Sequence, residues 1–298
     1  MFIKNIYSLL LKVVTYLFGV DFSKKFDSYL RFGRKMNLKK PTRLDEKVAY
    51  LELHNQTKLK SYCTDKFTAK LYVESKGLKN ILIPNLGGPW LDFEEIDFDE
   101  LPNSFVLKAT HGCKMNYVVK DKKEINLSKL NKKINSWLNT VYGSYSVEPH
   151  YEKIPHRIIA EKYINNIDDL VDYKIHCFNG KPKFILTCSN RNVDSLGKVN
   201  VDLNLYDVKW NRINGLISYK NEKVGLCDVK KPVSLDSMIK ISEELSKDFK
   251  FVRVDLYEIN GEVRFGELTF SPGCCVFPYF TIDFLKEAGS YLEIGANE

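Results

Sequence analysis

The stretch FVRVDLYEINGEVRFGELTFSPG, residues 251–273, constrains the chain more than any other. Two runs of alternating apolar residues, Phe251 to Ile259 and Val263 to Phe270, flank Asn260-Gly261, a dipeptide that readily takes the left-handed backbone of a tight turn. The reading is a β-hairpin. On its first strand Arg253, Asp255 and Tyr257 share one face, and Val252, Val254 and Leu256 take the other. The second strand ends in Glu267, Leu268 and Thr269. Register decides what the carboxylates can do. A two-residue loop opposes Asp255 to Gly266 and turns Glu267 to the wrong side, whereas a three-residue loop of Ile259, Asn260 and Gly261 with a G1 bulge puts Asp255 and Glu267 on one face. Two carboxylates on one face want a cation, and oxygen ligands completed by phosphate describe magnesium at a nucleotide site. A solvated hairpin with scattered charges is the other reading of these residues alone.

At 298 residues the chain can hold two or three subdomains, and an apolar fraction of 44% suits a globular protein. Seven cysteines with no C-x-x-C pair fit neither a disulfide framework nor a zinc site, so they read as reduced thiols of a cytoplasmic protein. A net charge of +7 favours anionic partners. The basic residues are dispersed through the chain and no nucleic-acid motif appears, which argues against nucleic acid.

Ile3 to Val20 reads as a helix with an apolar stripe at Ile6, Leu10, Val13, Val14 and Leu17. It is too short to span a bilayer and no cleavage site follows, which leaves a helix packed on the protein or one resting at the inner membrane face. Asp21 to Gly77 reads as largely helical, with periodic segments at Leu44–Leu53 and Asp65–Ser75. Ile81 to Pro84 reads as a short strand and Asn85 to Pro89 as a loop. Phe105–Lys108 and Tyr117–Lys120 form a hairpin around ATHGCKMN. A strand lysine, Lys108, followed by a loop carrying His111, Gly112 and Lys114 supplies several donors to several oxygens, as closing over polyphosphate requires; an ordinary polar hairpin is the plainer reading.

RIIAEKYI, residues 157–164, is an apolar strand whose single acid, Glu161, with Lys162, Tyr163 and Ile164 where the strand ends, suits an adenine slot. Asp168 and Asp169 follow within reach of a ribose. A hairpin around Asn179-Gly180 aligns Asp172, Lys174 and His176 on one face, with Arg191 just beyond. Residues 193–231 are polar and punctuated, with Trp210, Arg212 and Gly215 as candidate substrate-loop residues. Leu235 to Phe249 is an amphipathic helix.

Taken together, LDEKVAYL, TDKFTAK, LPNSFVLKATHG, AEKYI, DYKIHCFNGKP and GELTFSPG stand in an order that resembles the ATP-grasp superfamily, and within it the TupA-like branch of teichuronopeptide biosynthesis, over roughly Asp45 to Gly273. The resemblance implies an α+β fold in which two antiparallel-sheet subdomains grip ATP, behind a helical N-terminal region. The divisions expected are 1–100 (helical), 101–164 (lid, phosphate loop and adenine hinge) and 165–298 (metal site).

By the same resemblance ATP and Mg2+ are the cofactors. Lys108, Gly112 and Lys174 match phosphate positions, Glu161 to Ile164 the adenine hinge, and Asp255, Glu267 and Thr269 the metal positions. Arg253 and Arg191 match the basic catalytic residues, and Ser271 and Gly273 lie in the substrate loop. Two departures stand out: Cys113-Lys114 replaces a second loop glycine, and Thr269 replaces the usual asparagine. The activity implied is an ATP-dependent carboxylate-amine ligase acting on a uronic acid of a bacterial surface polysaccharide and an amine. A glycan phosphotransferase or glycosyltransferase-like enzyme of the same pathway and a non-catalytic nucleotide- or glycan-binding module are the alternatives.

Overall fold

Alternating apolar residues pair into two sheets, and helix-period stretches cover them. The computed structural model describes residues 2–145, 147–165, 170–193, 199–219, 222–225 and 228–295. Helices α1 (Phe2–Phe18), α2 (Val20–Phe32) and α3 (Leu44–His54) come first. They are followed by α4 (Lys58–Thr64), α5 (Thr68–Ser75), β1 (Asn85–Trp90), β2 (Phe105–Ala109), β3 (Asn116–Val119), α6 (Leu127–Leu138) and β4 (Ile158–Lys162). Then come β5 (Asp172–Phe178), β6 (Lys181–Val193), β7 (Val199–Asp207), β8 (Glu222–Val224), α7 (Leu235–Ser246), β9 (Phe251–Ile259), β10 (Glu262–Thr269) and α8 (Ile282–Ser290).

Two units result. The smaller is Thr57–Ser144 with Pro149–Asn165, and the larger is Met1–Gln56, Tyr145–Glu148 and Asn166–Glu298. This differs from the division drawn at residues 100 and 164. Lys47 of α3 donates to the Gly289 and Leu292 carbonyls at 2.8 Å each, which ties the first helices to α8. The α4–α5 segment instead bonds to the sheet of the smaller unit: Lys66 N–H donates to the Thr110 carbonyl at 3.2 Å.

In the smaller unit the strands run β1-β4-β2-β3, all antiparallel. Phe105, Leu107 and Ala109 of β2 point into a core closed by Leu130, Ile134 and Trp137 of α6. The Asn126 side chain starts α6 by accepting from Lys129 N–H at 3.0 Å. The strand expected at residues 81–84 is displaced: Lys79–Ile81 is a 3-10 turn, and the segment read as a loop forms β1. Pro89 has no N–H to give, and a sheet edge is where a strand tolerates that loss.

The larger unit carries a sheet ordered β10-β9-β5-β6-β7-β8, antiparallel except for the short β7/β8 pair. Alternation of Leu203 and Leu205 with Asp202 and Asn204 builds β7, a strand that the polar composition of residues 193–231 conceals. One sheet face packs Phe178, Phe184 and Phe251 against Phe277, Phe280 and Phe284. His176, which shares a strand face with Asp172 and Lys174, is sealed among these rings and held well below the ordinary imidazole pKa by burial, with the Arg253 charge adding to it.

The β9–β10 hairpin reaches the expected pairing by another route. Glu262 pairs with Ile259 around a two-residue loop with φ 53° at Asn260 and 78° at Gly261, so the three-residue loop is not formed. The extra residue enters at Gly266, where the register shifts and Glu267 comes opposite Asp255. A Cβ on Gly266 would stand 2.9 Å from the Asp255 carbonyl oxygen and 3.0 Å from the Tyr257 ring.

Candidate active site

In the smaller unit an ion triad joins α5, β2 and β4. Glu161, buried on β4, pairs with Lys108 of β2 and with Lys70 of α5, the latter at 2.6 Å. Lys70 also donates to the Ile83 carbonyl at 2.8 Å and to Asn85 Oδ1 at 2.5 Å. Burial opposes the Glu161 charge, but Lys108 and then Lys70 more than offset it and hold the carboxyl below its usual range. Burial lowers the Lys70 pKa, an effect that Glu161 only partly offsets. Lys70 was not singled out in the sequence; its signal is its place in TDKFTAK, one of the segments that carry the resemblance.

The rest of that segment organises the loop after β2. Asp65 caps Phe67 and Thr68 through their N–H groups at 2.7 and 3.2 Å and takes the Arg157 guanidinium at 2.7 Å. Lys66 donates to the carbonyls of Ala109 and Gly112. Gly112 lies against Tyr142, whose ring would be 2.8 Å from an added Cβ. Lys114 is exposed with φ 60°.

His111 departs from its expected role as a nucleotide contact. It is fully buried, stacks on His156 at 3.9 Å between ring centroids and sets Nε2 3.0 Å from the Trp137 carbonyl. Burial, with His156 adding to it, pushes its pKa down to about 4. Its other nitrogen, Nδ1, is buried without a hydrogen-bond partner.

At the end of β4, Lys162 is exposed and its N–H donates to the Pro84 carbonyl at 3.0 Å; Tyr163 and Ile164 leave the strand half-buried. Asp168 and Asp169 lie outside the described residues.

The larger unit gathers a second cluster on β5, β6, β9 and β10. Arg253 makes a two-pronged contact with Asp255, Nε to Oδ1 and Nη2 to Oδ2 at 2.6 Å each. Its Nη2 also donates to Thr269 Oγ1 at 3.1 Å and stands 3.5 Å from Glu267 Oε1. Thr269 in turn donates to Glu267 at 3.1 Å. Lys174 bridges Asp172 and Asp255 at 2.6 Å each, and Arg191 holds Asp172 at 2.5 Å.

Cross-strand pairing explains the assembly, since Lys174 is opposite Asp255 on β9 and Asp255 is opposite Glu267 on β10. Burial disfavours every charge here, yet each acid meets a base. Asp255 is kept below its ordinary value by Arg253 and Lys174, and Arg253 is kept well above its own chiefly by Asp255.

Asp255 and Glu267, with the Thr269 hydroxyl, are the oxygens that could hold a metal. Among the described residues no group of three or more His, Cys, Asp or Glu could do so. Both Asp255 oxygens are engaged by Arg253 and Lys174 here, so a cation bound through these carboxylates would have to displace part of that contact.

Beyond β10 the substrate-loop candidates rest on a third buried cluster. Ser271 donates to Glu148, and Gly273, Cys274, Cys275 and Phe277 all have positive φ. Close by, Lys24 of α2 is fully buried; desolvation opposes its charge, but Cys275, Glu148 and Asp27 more than offset this and raise its pKa. Asp27 also takes Tyr7 Oη at 2.8 Å and Arg31 at 3.2 Å. Neither Lys24 nor Glu148 was singled out, because nothing local to α2 or to the aromatic segment 142–155 announces a partner so distant in sequence. Of the other substrate-loop readings, Trp210 stacks on Tyr206 at 4.2 Å, Arg212 pairs with Asp228, and Gly215 packs against Phe284.

Among solved structures the chain is similar to a D-alanine–D-alanine ligase from Bacillus anthracis, with 16% identity and a TM-score of 0.47 over 84% of this chain and 65% of that one. It is also similar to an L-amino acid ligase from Bacillus licheniformis, with 12% identity and a TM-score of 0.43 over 86% of this chain and 55% of the other. The chain thus spans less than two thirds of the length of either. No curated protein matches it. The family model TupA-like ATPgrasp matches residues 46–292, most of the chain, and the protein therefore belongs to the TupA-like ATP-grasp family.

Proposed function

We propose that the protein is an ATP-dependent ligase that joins a carboxylate to an amine through an acyl phosphate. What carries the reading is the Arg253-Asp255 pair in a chain of this family: a buried guanidinium, fixed by two hydrogen bonds, shares its Nη2 with Thr269 and lies near Glu267. In the first step a substrate carboxylate oxygen attacks the γ-phosphorus of ATP, the bond to the β-phosphate oxygen breaks, and ADP leaves. In the second, the amine nitrogen attacks the acyl carbon, the bond to phosphate breaks, and the nitrogen loses a proton.

Lys108 and Lys70, with Lys174 and Arg191, are assigned to phosphate charge, and Glu161 to Ile164 to the adenine. Asp169 is retained as a ribose contact from sequence alone. Magnesium held by Asp255 and Glu267, with Thr269 beside them, would neutralise phosphate oxygens. Arg253 is assigned to the negative charge that builds on the carbonyl oxygen in the second step, where a preoriented donor contributes most.

The carboxylate is assigned as a uronic acid of a bacterial surface polysaccharide, in line with the teichuronopeptide branch that the motifs resemble, and the amine as an amino acid or amino alcohol. ATP places the reaction on the cytoplasmic side. Ser271 and Gly273 are the proposed acceptor contacts. The test is product analysis with Mg-ATP and a panel of uronic acids and amines. ADP and phosphate in equal yield with an amide support the ligase; phosphate retained on a sugar with no amine requirement overturns it.

A further inference from the structure

Residues 2–32 carry two helices, α1 and α2, whose apolar surface is not used up by packing. On α1, Leu11 and Val14 are buried, while Leu9, Val13, Tyr16 and Leu17 are 63, 47, 90 and 61% exposed. The stripe read from the sequence as Ile6, Leu10, Val13, Val14 and Leu17 therefore faces solvent at every position but Val14. A helix apolar on both faces has a second face to bury.

This surface continues around the corner at Gly19. The rings of Phe18 and Phe22 lie 5.1 Å apart and those of Phe22 and Phe26 6.4 Å, and α2 then adds Tyr29 and Leu30, each more than half exposed. A contiguous apolar patch of this kind marks an interaction surface.

Charge identifies what covers it. Residues 1–40 hold nine Lys and Arg against two Asp, a net charge of +7, so the remaining 258 residues are formally neutral. The positive charge of the whole protein sits in the segment that carries the apolar face. Lys12 borders that face and is exposed, Lys25 lies between Phe22 and Tyr29 on α2, and Lys35, Lys39 and Lys40 are exposed just beyond. A second copy of the chain would set two such segments against each other, and like charges oppose that. Among the described residues no helix is long and apolar enough to cross a membrane.

We propose that α1 and α2 dock this protein on an anionic lipid surface, with α1 lying in the plane of the interface, its leucines and aromatic rings among the acyl chains and its lysines at the headgroup phosphates. The proposal goes beyond the ligase reading and does not depend on it.

The test is co-sedimentation of the full chain with vesicles of phosphatidylcholine alone or mixed with phosphatidylglycerol, at low and physiological salt. Binding should require the anionic lipid and weaken with salt. Leu9→Ser with Leu17→Ser should lower affinity by tenfold or more, and Lys39→Gln with Lys40→Gln by about fivefold per charge. All four side chains are exposed, so the melting temperature should hold in both variants. Equal binding to neutral and anionic vesicles, or variants that bind as wild type does, would overturn the proposal. So would absence of vesicle binding together with a concentration-dependent dimer that Leu9→Ser with Leu17→Ser dissociates.

Discussion

Glu267 stands opposite Asp255 across β9 and β10 because one residue, Gly266, is pushed out of the ladder between them and the turn. Both carboxylates then approach a single nitrogen of Arg253, at 2.6 and 3.5 Å.

Gly266→Ala tests that relationship. Its Cβ would meet the Asp255 carbonyl at 2.9 Å, which is backbone and cannot swing aside. We expect a loss of about 1–3 kcal/mol in urea denaturation. Magnesium-dependent ATP turnover should fall further than stability predicts, as the two carboxylates lose alignment. Wild-type turnover in the variant would detach the bulge from the metal assignment.

Arg253→Lys keeps a positive charge but loses the paired hydrogen bonds to Asp255. Turnover to amide should drop by about 10²–10³-fold, with ATP affinity changed by only about threefold or less, measured by mass spectrometry and calorimetry. Equal losses in both would make Arg253 part of the nucleotide site instead.

Lys70→Met leaves Glu161 with Lys108 as its remaining cation in the triad. The cost should fall below the roughly 3–5 kcal/mol of a fully broken buried pair, because one partner survives. The folded Glu161 carboxyl lies below its ordinary 4.5, so its contribution is present above that value and fades as pH falls through the folded pKa. Denaturation curves of wild type and variant should therefore differ most near pH 7 and converge below about 4.5. By calorimetry, ATP affinity should weaken both in Lys70→Met and in Lys108→Ala, since each removes one of the two lysines paired with Glu161.

His111 has a folded pKa of about 4 against an ordinary 6.5, and it lies near His156, Lys66 and Asp65. Above pH 6.5 both folded and unfolded states are neutral there, and between 6.5 and 4 only the unfolded state takes the proton, so stability falls across that window. His111→Phe keeps a ring against His156 and removes the titration. Its melting temperature should change less than that of wild type between pH 6.5 and 4.

Lys24→Met removes a buried ammonium that Glu148 and Asp27 share, while Asp27 keeps Tyr7 and Arg31 and Glu148 keeps Ser271, so we expect a loss below the roughly 3–5 kcal/mol of a fully broken buried pair. Adding Glu148→Gln should restore part of it, which a double-mutant cycle in urea measures directly. A loss of that size would make α2 integral to the larger unit.

Local pattern carried much of the architecture. The Asn-Gly turns, the strands bearing Lys108, Glu161, Lys174 and Asp255, and α6 and α7 are each specified by neighbours within a few residues, through turn geometry and a two- or 3.6-residue apolar period. The hairpin also showed that Asp255 and Glu267 could share a face, though not by which route. An extra residue can be absorbed at the turn or within the strand, and the choice falls to Gly266 because only a residue without Cβ tolerates the Asp255 carbonyl there.

What tertiary structure alone decided is partnership. His111 looked like a loop donor until Trp137 and His156, distant in sequence, enclosed it. Lys70 and Lys24 gained their acids from segments that local spacing does not connect to them. The sequence by itself also showed an apolar stripe at Ile6, Leu10, Val13, Val14 and Leu17 on α1. Whether that stripe is covered it could not determine, because apolar residues stand on more than one face of α1 and only a neighbour, here α2, selects which face turns inward.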